Sequence, residues 1–229
     1  MNRITVLLAE DHRIVREGFR SLLEHESDIE VVGEATTGRQ AVQLTRQLRP
    51  AVVVMDIAMP LLNGLEATRQ IRKDFPDTKV LILSAHSDDA YVEQVAALGA
   101  AGFLLKQTSS HVLANAIREV QKGNTFYSPS MAKHLRSQKS GKSPRSLARE
   151  EPFQKKGNRL SSREVEVLQL IAEGKPNKQV AAELGVSFKT VDKHRQHLMG
   201  KLNIHDIAGL TRYAIAEGII ESNVRLTLT

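Results

Sequence analysis

Polar side chains with chemical potential stand where short apolar runs stop. Glu10 and Asp11 follow ITVLLA (4–9), Asp56 follows AVVVM (51–55), Ser84 closes KVLILS (79–84) and Lys106 closes GFLLK (102–106). Burying a carboxylate is costly, so an acid at the end of a buried strand is either a turn cap or a charge put to use. One such acid alone is usually a cap. A set of them at successive strand ends points elsewhere, because open parallel sheets bind ligands beyond the carboxyl ends of their strands. Three carboxylates brought together repel one another unless a cation neutralises them, and an oxygen-only set suits Mg²⁺. The Lys106 ammonium and the Ser84 hydroxyl would satisfy an arriving oxyanion, leaving Asp56 placed to act as nucleophile and accept a phosphoryl group.

The elements that must position these groups are legible in the apolar pattern. A further strand is expected at IEVVGEA (29–35), and helix-like stretches separate all five runs. Their apolar residues are Ile14, Phe19, Leu22 and Leu23; Ala41, Leu44 and Leu48; Leu65, Thr68 and Ile71; Val92, Val95 and Leu98; and Val112, Leu113, Ala116, Ile117 and Val120. Continuous rather than alternating apolar strands mean burial on both faces. The fold class is therefore α/β, a doubly wound five-stranded parallel sheet covered by helices on both sides.

Beyond residue 125 the pattern changes. Residues 137–158, SQKSGKSPRSLAREEPFQKKGN, are rich in Ser, Gly, Pro and Lys and lack apolar periodicity, which is linker composition. If flexible, such a segment spans roughly 25 Å on average, at about 5–6 Å × √n. A short helix is expected within 127–136. From Leu160 the pattern is all-α: Ser161 or Ser162 caps a helix bearing Val165, Leu168 and Ile171, with Glu164 spaced for a capping box and Gly174 at its end. NKQVAAELG closes on Gly185, SFKTVDKHRQHLMGKLN opens on Ser187, and IAGLTRYAIAEG opens on Asp206. Four helices with a tight Gly turn between the second and third form a helix-turn-helix module. The expected domains are 1–125, a linker over 126–158, and 159–229.

Charge separates the same parts. The formal net charge is +6, and the excess lies wholly beyond residue 136, which suggests a polyanionic partner for the second half. There is no cysteine, excluding disulfides and thiolate metal sites and fitting a reducing compartment. No apolar run approaches the ~18 residues of a membrane span, and acids follow the N-terminus too soon for a secretory signal. The expected location is cytoplasmic, with no membrane partner. The third C-terminal helix carries Lys189, Lys193, Arg195 and Lys201 with His194 and His197, interrupted by Asp192. After a short helix and a Gly turn, such a helix would present its N-terminal half to the major groove, with cations on phosphates and polar tips on base edges.

LLAEDH, VVVMDIAMPLLNG, LILSAH and GFLLK resemble the signatures of response-regulator receiver domains over 4–122, and 160–220 resembles the LuxR-type helix-turn-helix of the NarL/FixJ subfamily. The resemblance implies that Asp56 is the phosphoacceptor for a partner histidine kinase. It implies Mg²⁺ held by Asp11, Asp56 and the Ala58 backbone carbonyl, with Glu10 acting mainly through water. Ser84 would reach the phosphoryl oxygen, and Phe103 would be the switch aromatic that moves with it. Gln107 stands where many receivers carry proline. In the second module, Ser187, Lys189, Thr190, His194, Arg195 and Lys201 would lie near the DNA backbone, while Asp192, Lys193 and Gln196 would face bases. Dimerisation would involve the last helix around Leu210 and Ala214, with RNA polymerase a candidate further partner. The unphosphorylated receiver would restrain the DNA-binding module.

Asp192 departs from the lysine of many relatives; an acid in the groove is unfavourable unless it accepts from cytosine N4. Two alternatives deserve weighing. Haloacid-dehalogenase-like phosphatases also use a strand-end Asp, but they need a second Asp two residues later, and that position is Ala58. A receiver acting only through protein contacts would carry an apolar stripe where Lys189, Lys193 and Gln196 lie. The sequence thus reads as a phosphorylation-dependent, DNA-binding transcription regulator and not as an enzyme.

Overall fold

The computed structural model describes residues 3–85, 95–127 and 160–220. The chain divides into two compact units, one around the N-terminal sheet and one of C-terminal helices.

In the first unit the strands are β1 (Ile4–Ala9), β2 (Ile29–Ala35), β3 (Val52–Asp56), β4 (Lys79–Ser84), β5 (Gly102–Leu105) and β6 (Phe126–Tyr127). Every pairing is parallel, in the order β2-β1-β3-β4-β5-β6. The order reverses between β1 and β3, so the ends of these two strands flank the topological switch point. β3 is buried along its whole length, and β4 at every residue but Lys79, as expected for central strands covered on both faces.

Around the sheet run α1 (Arg13–Glu24), α2 (Gly38–Leu48), α3 (Gly64–Asp74) and α4 (Ser110–Gln121). One face of the sheet packs Val6, Leu8, Val54, Leu81 and Leu83 against Phe19 and Leu23 of α1 and Leu113 and Ile117 of α4. Arg118 of α4 ties this layer to the α1–β2 turn, donating to both Asp28 oxygens and to Glu26 at 2.6–2.7 Å.

Three expectations need correction. Ile14 and Leu22 do not face the core of α1: Ile14 is 85% exposed and Leu22 41%. In α2, Leu48 is exposed, and the inward position belongs to Thr45, whose hydroxyl is satisfied by donating to the Ala41 carbonyl at 2.7 Å. The linker does not begin at 126, because Phe126 and Tyr127 add a sixth strand beside Gly102 and Phe103. Gly102 permits that approach, since a Cβ there would lie 2.5 Å from the Phe126 carbonyl oxygen. The fourth expected helix around Val92, the short helix in 127–136 and the linker 137–158 fall largely or wholly outside the described residues.

The second unit comprises α5 (Ser162–Ala172), α6 (Asn177–Leu184), α7 (Phe188–Leu202) and α8 (Ile207–Ala216). Ser161 is the cap of α5, with both halves of the capping box made to Glu164. Gly185 ends α6 in the left-handed region at φ 62°, and Ser187 starts α7 by accepting from the Thr190 amide, which sets the tight turn between them. Leu168, Ile171, Val180, Leu184, Val191, Leu198, Leu210 and Ala214 fill the core. Leu210 and Ala214 are fully buried there and cannot themselves form a dimer face; the outer side of α8 carries Ile207 and Ile215.

Candidate functional site

Three segments deliver the acidic site. β1 ends at Ala9, so Glu10 and Asp11 sit on the turn into α1, and the last residue of β3 is Asp56 itself. Lys106 follows β5 by one residue and is fixed by its amide, which donates to the Ser84 carbonyl at 2.8 Å. The turn after Asp56 closes tightly: a Cβ on Gly64 would lie 1.8 Å from the Asp56 carbonyl oxygen, so only glycine fits.

The charges meet as the sequence suggests. Lys106 Nζ lies 2.8 Å from Glu10 Oε2 and 3.0 Å from Asp56 Oδ2. Glu10 and Asp56 are each only 2% exposed. Burial, and next the Glu10 charge, push the Asp56 carboxyl up to about 7 against the opposing pull of Lys106. Burial works to lower the Lys106 pKa, but the Asp56 and Glu10 anions outweigh it and hold the ammonium above its ordinary value. Ser84 closes β4 opposite Leu105 and Phe103 lies on β5 opposite Ile82; both are buried, Phe103 wholly. Ala58 lies half-buried in the loop two residues beyond Asp56.

The donor set fits a hard divalent cation. Ligand atoms of Glu10, Asp11, His12 and Asp56 all lie within 4.8 Å of one another. Glu10 Oε2, Asp11 Oδ1 and Asp56 Oδ2 are buried oxygens without a hydrogen bond of usable geometry. Glu10 and Asp56 have an ammonium close by, and Asp11 has His12 Nδ1 at 2.9 Å, so each has charge nearby but unused acceptor capacity.

Two supporting residues escaped the sequence reading. His12 bonds Glu10 Oε1 through its backbone amide and through Nδ1, both at 3.1 Å, and the Asp11 charge raises its pKa. Its adjacency to the acid pair was the available signal. Arg16 donates to the Glu10 carbonyl at 2.8 Å and to Glu34 Oε2 at 2.9 Å, pinning the acid-bearing turn. Its position one helical turn past His12 gave no hint of this.

On α7 the cations divide. Lys189 and Lys193 are exposed, and with Ser187, Thr190, His194 and His197 they line a shallow surface depression. Arg195 donates to Asn177 at 3.1 Å, and Lys201 donates to Glu164 Oε2 at 2.6 Å, so both brace the helices as well as carrying charge. The Ser187 and Thr190 hydroxyls bond each other at 2.8 Å. Gln196 Nε2 donates to Asp192 Oδ2 at 3.0 Å.

Residues 6–118 match the response regulator receiver domain, and residues 158–214 match the bacterial regulatory proteins of the luxR family. The oxygen regulatory protein NreC of Staphylococcus carnosus (strain TM300) is 39% identical over 220 residues, spanning 94% of this chain and 99% of NreC. The chain belongs to the two-component response regulators with a LuxR-type DNA-binding domain. The transcriptional regulatory protein DegU of Brevibacillus brevis is 35% identical, covering 90% of each chain. Among solved structures, RcsB of Salmonella typhimurium superposes with a TM-score of 0.59 at 28% identity, over 95% of this chain and 99% of that one. RcsB has also been solved as two dimers bound to two parallel DNAs, with 29% identity, a TM-score of 0.55 and coverage of 93% and 98%. This response regulator therefore pairs a receiver with a DNA-binding module and acts as a regulator of transcription. No helix among the described residues is long and apolar enough to cross a membrane.

Proposed function

We propose that Asp56 is the phosphoacceptor and that its phosphorylation by a partner histidine kinase controls DNA binding through α7. The observation that carries this reading is the Lys106 ammonium bridging Glu10 and Asp56 at adjoining strand ends. As a carboxylate, Asp56 attacks the phosphorus of the kinase phosphohistidine; the new O–P bond forms as the P–N bond breaks, and the imidazole leaves. Lys106 and Ser84 take the phosphoryl oxygens. Asp11, Asp56 and the Ala58 carbonyl would hold Mg²⁺, with Glu10 oriented by Arg16 and His12. When bound, Mg²⁺ would supply the positive charge that keeps Asp56 anionic and offsets the incoming phosphoryl group.

Ala58, where a hydrolase would carry an acid, supports a long-lived phosphoprotein and no substrate turnover beyond slow self-dephosphorylation. Phe103, on β5 opposite Ile82 of β4 and three residues before Lys106, is the group through which the phosphoryl state would alter β5. In the second unit, Ser187, Lys189, Thr190, His194, Arg195 and Lys201 would meet DNA phosphates, and Asp192, Lys193 and Gln196 would meet bases. The exposed lysines on α7 favour DNA over a purely protein partner. The active form would be a homodimer on paired half-sites, in the cytoplasm, with RNA polymerase as a downstream contact. The receiver would extend through Tyr127, with the linker following it and the DNA-binding domain over 159–229. Incubation with a kinase or small phosphodonor and Mg²⁺ should place one phosphoryl group on the protein and none on Asp56→Ala; labelling of that folded variant would refute the assignment.

A further inference from the structure

α7 carries an arrangement that its general DNA-binding role does not use. Phe188, Asp192 and Gln196 recur every four residues and so lie along one line of the helix. Lys189 and Lys193 form the adjoining line. Phe188, the first residue of the helix, is 56% exposed. Isolated exposed apolar residues are common, so its position in line with two polar side chains is what gives it weight.

The acid in this line is costly beside phosphates, which weakens its value for non-specific binding. It becomes useful only against a donor on a base edge. In the major groove cytosine presents its N4 donor alone, whereas adenine sets its N6 donor beside the N7 acceptor, which repels a carboxylate. Gln196 holds Asp192 Oδ2, leaving Oδ1 directed by a fixed partner and able to accept from a base. An aromatic side chain one turn earlier has one distinctive major-groove partner, the thymine 5-methyl group. Four residues advance about 6 Å along a helix, against 3.4 Å per base step, so the two contacts fall about two base pairs apart.

We propose that Phe188, Asp192 and Gln196 form a base-reading line that selects a cytosine through Asp192 and a thymine within two base pairs of it through Phe188. This rests on the reading of α7 as the groove helix. The test selects bound duplexes from a random DNA pool, using the full chain with Mg²⁺ and a small phosphodonor. The wild type should enrich a cytosine with a thymine within two base pairs. Asp192→Ala should flatten the cytosine column alone, and Phe188→Ala the thymine column alone. Replacing that thymine by deoxyuridine, which removes only the methyl group, should weaken wild-type binding about fourfold, the size expected for one buried methyl, and leave Phe188→Ala unchanged. Tighter binding by Asp192→Ala to all sequences, with the cytosine column intact, would overturn the Asp192 assignment. An unaffected deoxyuridine duplex would overturn that of Phe188. Lys189→Ala, which removes a phosphate contact, should lower affinity evenly across sequences; unchanged affinity would show instead that α7 is not the groove helix, and both assignments would fall with it.

Discussion

Asp56→Asn should stabilise the receiver unit when divalent metal is chelated, although it removes the group on which the function depends. In the folded chain burial and Glu10 push the Asp56 carboxyl up to about 7 from an ordinary value of 3.8. At about 1.4 kcal/mol for each pH unit, holding Asp56 ionised above pH 7 opposes folding by about 4 kcal/mol. Asparagine removes that opposition but turns an amide toward the Lys106 ammonium, an imperfect partner costing about 1–3 kcal/mol, so a net gain of about 1–3 kcal/mol is expected. The sign follows from proton linkage. Between pH 3.8 and 7 the folded state holds a proton that the unfolded state has lost, so this group's stabilising contribution is full below 3.8 and falls as pH rises to 7. Asp56→Asn should abolish that part of the slope. Native-state hydrogen exchange at β1 and β3 amides reports the receiver alone and does not need tryptophan, which the chain lacks. A variant no more stable than wild type at pH 8, or one with an undiminished slope from pH 4 to 7, would show that the site is not electrostatically loaded as described. Adding Mg²⁺ should narrow the difference by stabilising the wild type more.

Other consequences follow from single contacts. Gly64→Ala forces a Cβ to within 1.8 Å of the Asp56 carbonyl and should destabilise the receiver by several kcal/mol, about 3 or more, with loss of phosphoryl incorporation; a normal melting curve would refute this. Ser161→Ala removes the hydroxyl that accepts from the Glu164 amide and donates to its carboxylate, while the backbone amide of residue 161 keeps its own bond to Glu164, and should lower the stability of the C-terminal unit by about 1 kcal/mol in urea titrations. Gly102→Ala should detach β6, seen as fast exchange of the amide of Phe126, which now donates to Ala101 at 2.9 Å, while β1 and β3 stay protected.

The inner parallel strands were legible because a strand buried on both faces is a nearly unbroken apolar run, and β1 and β4 begin and end where those runs do; β2, at the sheet edge with only Ile29 and Ala35 buried, also keeps the bounds of its run. The candidate site was legible for the same reason, since Glu10, Asp56, Ser84 and Lys106 mark where the apolar runs stop, although Glu10, Asp56 and Ser84 are themselves buried. Helix faces were harder. Thr45 reads as polar but pairs its hydroxyl within its own helix and goes inside, whereas Ile14 and Leu22 read as core and lie on the surface. β6 is too short to show a pattern, and only the room left by Gly102 admits it. His12 and Arg16 act through geometry that spacing does not encode, one through an amide and ring nitrogen, the other through a backbone carbonyl.

The central claim is that the phosphoryl state of Asp56 sets DNA affinity. The direct measurement is a salt-controlled mobility shift on a duplex from the protein's own upstream region, with and without a small phosphodonor and Mg²⁺, for wild type and Asp56→Ala. Tighter binding of the wild type on adding the donor, with no response from Asp56→Ala, is the expected result. An equal response from both proteins would contradict the account.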